Sequence, residues 1–399
     1  MEQNTDLSIN KKQKSYKLYE NIEFTQKESE LFDYLINFIK EKKLDLVLRC
    51  VGGFVRDKLL QLESEDIDIA LDKMTGEQFV LMLKQNFEEK GEHLHNIHII
   101  KSNPEKSKHL ETATCNIFGF EVDFVNLRGE EYAQNSRIPT QTTFGSPYED
   151  ALRRDLTINA LFYNINEEKL EDFTERGLTD LKNGVCMTPM DPLKTFIDDP
   201  LRIIRTIRFM SRYNFTIDKT VFETMKLEQV RNALKLKVSP ERIGKEITKL
   251  LKGNNPYMAI QAIKDSDLWE ILAPINEKCE ELINDQNASK SCLELSEKLT
   301  DSIKQNFDQC IVYSKDMEDN FSNEDYPIVF YLSAIVYPFQ PYSFPRNKKG
   351  KPELVVHDIL VDQHRCSYQI NEMAELFEIS QLDTDQDNSI SDKIFIKTG

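Results

Sequence analysis

Residues 51–71 read VGGFVRDKLLQLESEDIDIAL, from Val51 to Leu71. Leu44 to Val51 is a short β-prone run, and Gly52-Gly53 ends it before residues compatible with a helix. Two glycines at such a turn let backbone approach a ligand phosphate closely, with helix amides facing the anion. Arg56, about one turn on, can add a charge-assisted contact to the same phosphates. Asp66-Ile67-Asp68-Ile69 then alternates acid and aliphatic. In a strand, residues two apart share a face, so both carboxylates project together while the isoleucines enter the core. Side by side they repel, and a divalent cation relieves that. Magnesium, held by few carboxylates plus substrate phosphates, suits the arrangement. Asp123, in the β-prone EVDFVNLR, is another acid that can complete a two-metal site. Alone, a glycine pair reads as an ordinary turn and an alternating strand as a half-exposed edge; their succession at this spacing points to chemistry.

Two further segments carry charge in an ordered way. In ALRRDLTINALFYN, residues 151–164, Arg153 and Arg154 stand beside Asp155, with Asn159 one turn on, in an apolar stretch. A solvated charge pair is the plain alternative. In DDPLRIIRTIRFMSRYNF, residues 198–215, a rotation of ~100° per residue puts Arg202, Arg205, Arg208 and Arg212 near ~0°, ~300°, ~240° and ~280°. They share one face, while Ile203, Ile207 and Met210 lie elsewhere. A basic stripe on an acidic protein is where an anion would sit, and four solvated arginines are the alternative. Asp199-Pro200 reads equally as an N-cap followed by proline at the first helical position.

The chain has 399 residues, long for one compact domain. Lys plus Arg total 51 against 68 for Asp plus Glu, a formal charge of −17. That sign describes the far field rather than where the cations sit, so it does not exclude a nucleic-acid partner. A 40% hydrophobic and 10% aromatic content supplies a packed core and argues against wholesale disorder. No uncharged apolar run approaches the roughly 18 residues of a membrane span, so no membrane partner is expected. Met1 to Glu20 lacks a signal-peptide apolar region; it is free of Arg and carries acids, unlike a mitochondrial leader. The expected location is the cytoplasm, with nucleus and mitochondrion open; monomer and homodimer both fit.

The seven cysteines (50, 115, 186, 279, 292, 310 and 366) form no CxxC pair and read as buried free thiols. His93, His95 and His98 lie in a β-prone run and read as structural. The segment from Asp383 to Asn388 opens like a calcium loop, but Asn388 and Ile394 stand where glycine and a bidentate glutamate are required. Helices are expected over Glu28–Lys40, Thr75–Asn86, Asp198–Arg212, Ser239–Leu251 and Pro256–Leu272. Strands are expected over Leu44–Val51, Asp66–Leu71, Gly119–Leu127 and Lys169–Phe173. Ser239 reads as an N-cap with Pro240 at the first position and Gly253 closing the helix. Gln134 to Asp150 reads as a polar, mobile loop.

Taken together, GGFVRD with EDIDIA, RRDLTINALFYN, DDPLRIIRTIRF and SPERIGKEITKLLKG resemble the class II tRNA nucleotidyltransferases (CCA-adding enzymes), a family that includes bacterial poly(A) polymerases. The match runs from about Val47 to Gly253. The resemblance implies an α+β molecule of seahorse shape. A flexible segment (1–25) precedes a small mixed-sheet nucleotidyltransferase head (26–165). An all-helical neck (166–235), body (236–310) and tRNA-binding tail (311–399) follow. It implies two magnesium ions, CTP and ATP as substrates, and tRNA as partner, receiving C, C and A at its 3′ end. By motif, Asp66 and Asp68 are the metal ligands, with Asp123 the third acid, although bacterial forms usually have Glu there. Gly52, Gly53 and Arg56 match phosphate-contacting positions, and Arg153, Arg154, Asp155 and Asn159 the sugar and triphosphate side. Asp199 and Arg202 match the base-reading pair, with Arg205 and Arg208 beside them. Arg137 and Phe144 fall in the family's flexible loop.

Physical chemistry supports the base-reading pair. Arginine only donates and ionised aspartate only accepts. Cytosine and adenine each offer an amino donor beside a ring-nitrogen acceptor, whereas guanine and uracil present the opposite order. One Asp/Arg pair therefore accepts C and A and rejects G and U. Lys235, Lys237, Arg242, Lys245 and Lys249 are candidate phosphate contacts for tRNA. Alternatives within the family are a poly(A) polymerase or a CC- or A-adding enzyme, and outside it a non-catalytic RNA-binding relative.

Overall fold

The computed structural model describes residues 16–18, 22–64, 66–100, 112–132, 139–271, 286–316, 326–336 and 338. They fall into two compact units. The first takes the described residues up to Thr206 together with Phe215–Lys237; the second takes Ile207–Asn214 and those from Val238 onward.

The first unit is built on a mixed sheet. Its strands are β1 (Leu48–Val51), β2 (Asp66–Leu71), β3 (His95–Ile100), β4 (Thr112–Ile117), β5 (Phe120–Asn126), β8 (Leu161–Asn164) and β9 (Lys169–Asp172). Their order is β3-β4-β5-β2-β1-β8-β9. β2 and β5 pair in parallel, and the other neighbours are antiparallel. β6 (Arg128–Tyr132) and β7 (Pro139–Phe144) form a separate two-stranded sheet. Alternation in β2 does what period-two spacing demands: Ile67 and Ile69 are buried, and the aspartates occupy the other face.

Helices on this sheet start at sequence-encoded caps. α1 (Gln26–Glu41) begins with a capping box of Thr25 and Glu28, and buries Leu31, Leu35, Phe38 and Ile39 at helical spacing. After α2 (Gly53–Leu59), α3 (Gly76–Glu89) begins with a second box, of Thr75 and Gln78. The Phe79 ring of α3 lies 5.0 Å from that of Phe124 on β5, in the core.

The segment expected to be a polar loop is partly regular. β7 and α4 (Pro147–Leu152) fall inside it, while 134–138 lie outside the described residues. The signal was present in Ser146-Pro147-Tyr148-Glu149. Ser146 and Glu149 form a capping box with proline in the first turn. The sheet also continues past residue 165 to Asp172, and Val185–Cys186 pairs in parallel with Thr216–Ile217 within the stretch expected to be helical.

α5 (Gly177–Asn183), α6 (Pro192–Asp198) and α7 (Leu201–Tyr213) follow, and α7 passes from the first unit to the second after Thr206. α8 (Lys219–Met225) and α9 (Glu228–Lys237) return to the first. The second unit contains α10 (Pro240–Leu251), α11 (Pro256–Asp265) and helices Gln286–Asp316 and Tyr326–Val336. Ser239 has N-cap backbone geometry but makes no side-chain cap bond, and Lys252 rather than Gly253 is the C-cap. α11 stops at Asp265 because Asp267, at φ 56°, leaves the helical region. Cys50, Cys115, Cys186 and Cys292 are buried free thiols. Asp383 to Asn388 lies outside the described residues. Among the described residues no helix is long and apolar enough to cross a membrane.

Gly76 shows how tightly α3 sits. A Cβ there would stand 2.1 Å from the Phe124 carbonyl oxygen and 3.2 Å from the Ala113 nitrogen, both main-chain atoms of the sheet. Gly76→Ala is therefore expected to cost more than about 2 kcal/mol in urea unfolding. An unchanged midpoint would show that α3 shifts freely.

Candidate active site

The site begins at Gly52. Its φ of 68° turns β1 sharply into α2, a conformation costly for a side chain with Cβ. Space is a lesser constraint, since the neighbour of Gly52 is the tip of a flexible side chain and that of Gly53 lies at ordinary contact distance. A Cβ on Gly52 would lie 2.9 Å from Nη1 of Arg154, and one on Gly53 would lie 3.5 Å from Nη2 of Arg56. Two guanidinium groups thus close on the glycine turn from different elements.

Each is fixed by acids and amides. Arg56 is buried; its Nε and Nη2 donate to the two oxygens of Asp57 at 2.8 and 3.0 Å, and its Nη1 donates to Oδ1 of Asn159. Asn159 sits on a single 3₁₀ turn, Thr157–Asn159, and donates from Nδ2 to Asp155 at 2.9 Å. Asp155 also accepts from the Leu156 amide at 2.8 Å and from Nε of Arg205 at 2.8 Å. Burial would raise the Asp155 carboxyl. Arg205, the Asn159 hydrogen bond and Arg202 outweigh that and hold it well below the usual carboxylate range. An unbroken chain therefore runs from α7 through Asp155 and Asn159 to α2.

Arg154 donates from Nε and Nη2 to Oδ2 of Asp150 at 3.0 and 2.8 Å and from Nη1 to the Asn159 carbonyl at 3.2 Å; its guanidinium lies 5.2 Å from the Phe162 ring centre. Arg153 donates to the other oxygen of Asp150, with Nε at 2.8 Å. Sequence reasoning missed Asp150 and Asp57 as members of the site. Asp57 followed Arg56 in the quoted motif, and Asp150 stands three and four residues before the two arginines, a helical-neighbour spacing.

On the sheet, Asp68 and Asp123 are register partners on β2 and β5, and Asp66 shares the face of Asp68. Thr114 on β4 donates to Oδ1 of Asp123. Burial pushes the Asp68 carboxyl up to about 6; Arg154 lowers it, and Asp123 and Asp66 raise it again. Three carboxylates on the same face of neighbouring strands, one pushed by burial towards its neutral form, fit a divalent cation that substrate phosphates help to hold. Among the described residues no three His, Cys, Asp or Glu side chains close into a ligand cage, which magnesium completed by substrate phosphates does not require.

The arginine stripe of α7 is not an open cationic face. Arg202 is buried, with Nη2 donating to the Arg153 carbonyl at 2.6 Å and Nη1 to that of Thr195 at 3.4 Å. Arg205 pairs with Asp155; Arg208, in the second unit, donates to Glu246 at 2.8 Å. Arg212 is exposed. Ile203, Ile207 and Met210 are buried, as the periodicity requires. Asp199 accepts from the Leu201 amide at 3.3 Å, as a capping residue does. Of the lysines assigned to tRNA, Lys237 donates to the Ile197 carbonyl and Lys245 pairs with Glu241; Lys235 and Lys249 are exposed. Arg242 is half-buried and Phe144 exposed, while Arg137 lies outside the described residues.

Residues 48–187 match the family described as the poly A polymerase head domain, and 214–279 the one described as a probable RNA and SrmB-binding site of polymerase A. The chain is 54% identical over 231 residues to the mitochondrial CCA tRNA nucleotidyltransferase of Saccharomyces cerevisiae, covering 57% of this chain and 42% of that protein. It is 36% identical over 347 residues to tRNA nucleotidyltransferase cca1 of Schizosaccharomyces pombe, covering 85% of this chain and 67% of the relative. A solved CCA-adding enzyme with CTP superposes with a TM-score of 0.58 at 22% identity, over 90% of this chain and 70% of that one, and shares the fold. The chain spans about half the length of several curated relatives it matches.

Asp68 makes the carboxylate face pH-sensitive. Its folded-state pKa of about 6 lies above the ordinary value of 3.8, so stability falls as pH rises between these values, and the penalty is complete above them. Two units correspond to roughly 3 kcal/mol. With a chelator present, Asp68→Asn is expected to raise stability at pH 8 by up to that amount and to change little at pH 4. Equal denaturation midpoints at pH 8 would refute the assignment.

Proposed function

The chain belongs to the class II tRNA nucleotidyltransferase and poly(A) polymerase family, and on that premise we propose that it adds C, C and A to the 3′ end of tRNA, with CTP and ATP as donors. The observation that carries this reading is the conjunction at one turn of the chain. Two pinned guanidinium groups close on Gly52-Gly53, and β2, antiparallel to β1, presents Asp66 and Asp68 beside Asp123. That is a triphosphate cradle next to a cation-binding strand face.

In this reading Arg56 and Arg154 bind the triphosphate, and backbone at Gly52-Gly53 approaches it without a side chain intervening. Arg153 lies on the same side. Asn159, Asp155 and Arg205 fix the guanidinium of Arg56, so no reorganisation is needed when negative charge accumulates there. Asp66 and Asp68, with Asp123, would hold the divalent ions, which when bound supply charge neutralisation and a more acidic 3′-hydroxyl. The tRNA 3′-oxygen attacks the α-phosphorus in line. A new P–O bond forms, the bond to the bridging oxygen breaks, pyrophosphate leaves and the hydroxyl proton passes to solvent.

Base selection falls to Asp199 and Arg202. Arg202 now donates to two main-chain carbonyls, so reading a base means exchanging carbonyl acceptors for acceptors on cytosine or adenine. The exchange conserves hydrogen bonds for those two bases and leaves unmatched donors against guanine or uracil. Arg208, by itself in the second unit, is held by Glu246. Lys235, Arg242 and Lys249 are assigned to tRNA phosphates. The names of the S. cerevisiae and Candida glabrata relatives favour mitochondrial use over the cytoplasmic expectation.

Purified protein incubated with tRNA lacking its 3′ end is expected to incorporate CTP twice and then ATP once. Repeated ATP addition would identify a poly(A) polymerase, and one nucleotide alone a partial enzyme. Asp66→Ala is expected to reduce incorporation on the order of 1,000-fold while tRNA binding persists; retained turnover ends the carboxylate assignment. Swapping the base-reading pair, with Asp199→Arg and Arg202→Asp together, is expected to loosen rejection of UTP and GTP. Unchanged rejection would count against templating by these side chains.

A further inference from the structure

One side chain among the described residues holds both arginines that precede Asp155. Asp150 is 1% exposed, and each of its carboxylate oxygens serves a different guanidinium, Oδ1 that of Arg153 and Oδ2 that of Arg154. Both arginines engage it side-on, through Nε and Nη2. For Arg154 this fixes the direction of Nη1, which donates to the Asn159 carbonyl and stands against the Gly52 turn. For Arg153 it fixes the residue whose own carbonyl accepts from Arg202. A single buried anion thus sets the phosphate-facing guanidinium and, through one main-chain carbonyl, the resting place of the base-reading arginine.

A structural role alone does not explain this arrangement. α4 has only six residues and is already stabilised by its capping box and proline. Burying a carboxylate costs several kcal/mol before its partners offset it, and apolar residues would pack the same space as well. What the anion adds is direction. An arginine stem has several rotatable bonds, and a guanidinium without a partner beside Gly52 would sample many orientations. The cap anchors the anion in turn: Ser146 and Glu149 fix the first turn of α4, and the Asp150 amide donates to the Ser146 carbonyl at 3.0 Å.

We propose that Asp150 is a positioning residue for nucleotide binding, orienting Arg154 towards the triphosphate and anchoring Arg153, whose main-chain carbonyl accepts from Arg202. The assignment rests on the triphosphate cradle described under Proposed function, and its readout is nucleotide affinity, which can be measured without tRNA. Titration of full-length protein with CTP and with ATP in magnesium buffer is expected to give Kd values raised together, about tenfold, in Asp150→Asn. Asp150→Glu, which keeps the charge, is expected to recover part of the loss. A purely structural role would lower the fraction of competent protein and leave Kd unchanged, and that result overturns the proposal.

A double-mutant cycle supplies the second measurement. If Asp150 acts through Arg154, then the loss in Asp150→Asn with Arg154→Lys is smaller than the sum of the two single losses. Additive losses overturn the proposal. Should Asp150→Asn not fold, the comparison runs on Asp150→Glu in the same cycle, where the same two outcomes decide. Wild-type protein that binds both triphosphates yet extends no tRNA sinks the CCA-adding reading and leaves Asp150 to be judged on Kd. Wild-type protein that binds neither triphosphate overturns both.

Discussion

The buried carboxylate of Asp155 is the constraint on which the head of this protein is organised. It accepts from its neighbour's amide, from Asn159 and from Arg205, and through Asn159 it reaches Arg56. Three segments far apart in sequence are thereby held in one hydrogen-bonded chain: α2, residues 155–159 and α7. Buried ion pairs contribute little net stability against an apolar replacement, because desolvation opposes the Coulombic gain. They do specify geometry, since a guanidinium moved off its carboxylate leaves a buried charge without compensation. The chain therefore fixes Arg56 and Arg205 relative to one another more sharply than apolar packing would.

The same logic resolves the apparent conflict between a formal charge of −17 and a site for polyanions. The two arginines at the glycine turn are each bound by an acid, Arg56 by Asp57 and Arg154 by Asp150, and Asp150 also binds Arg153. One acid serves two guanidinium groups in the second case, so these pairs alone carry one surplus positive charge, set against the separate carboxylate face of β2 and β5. A cleft with low-dielectric walls magnifies that imbalance at short range, while the far field stays negative. Net charge thus says little about which anions such a protein accepts.

Much of this was legible in the sequence, for identifiable reasons. The edges of β2 at Asp66 and Leu71, and the bounds of α1 and α3 to within three residues, follow from alternation, from helical spacing and from strong caps. β3 falls in the run around His93, His95 and His98 that read as β-prone, whereas β4, whose alternation rests on small and weakly apolar residues in Thr112–Ile117, was not expected. The polar segment before Asp150 was read from composition, which favoured a loop, while Ser146 and Glu149 at capping-box spacing pointed to a helix. In the site, the cationic members and Asp155 were visible, whereas Asp57, Asp150 and Glu246, which bind the other arginines, were not. A periodicity places Arg202, Arg205 and Arg208 on one side of a helix, but it cannot show that what faces them is a main-chain carbonyl, Asp155 and Glu246 respectively.

That distinction bears on how a protein without a nucleic-acid template discriminates bases. An exposed arginine would be hydrated, and a base offering the wrong groups could keep water as a partner at little cost. Arg202 is instead buried and already bonded to the carbonyls of Thr195 and Arg153. A base that displaces them must return acceptors in comparable positions, or the guanidinium is left buried and unmatched at a cost of a few kcal/mol. Under the proposed base-reading role, selectivity would then come from the resting state as much as from the bound one. The carbonyl of Arg153 sets the reference against which a base is compared, and the stiffness of that carbonyl depends on the acids that hold its residue in place.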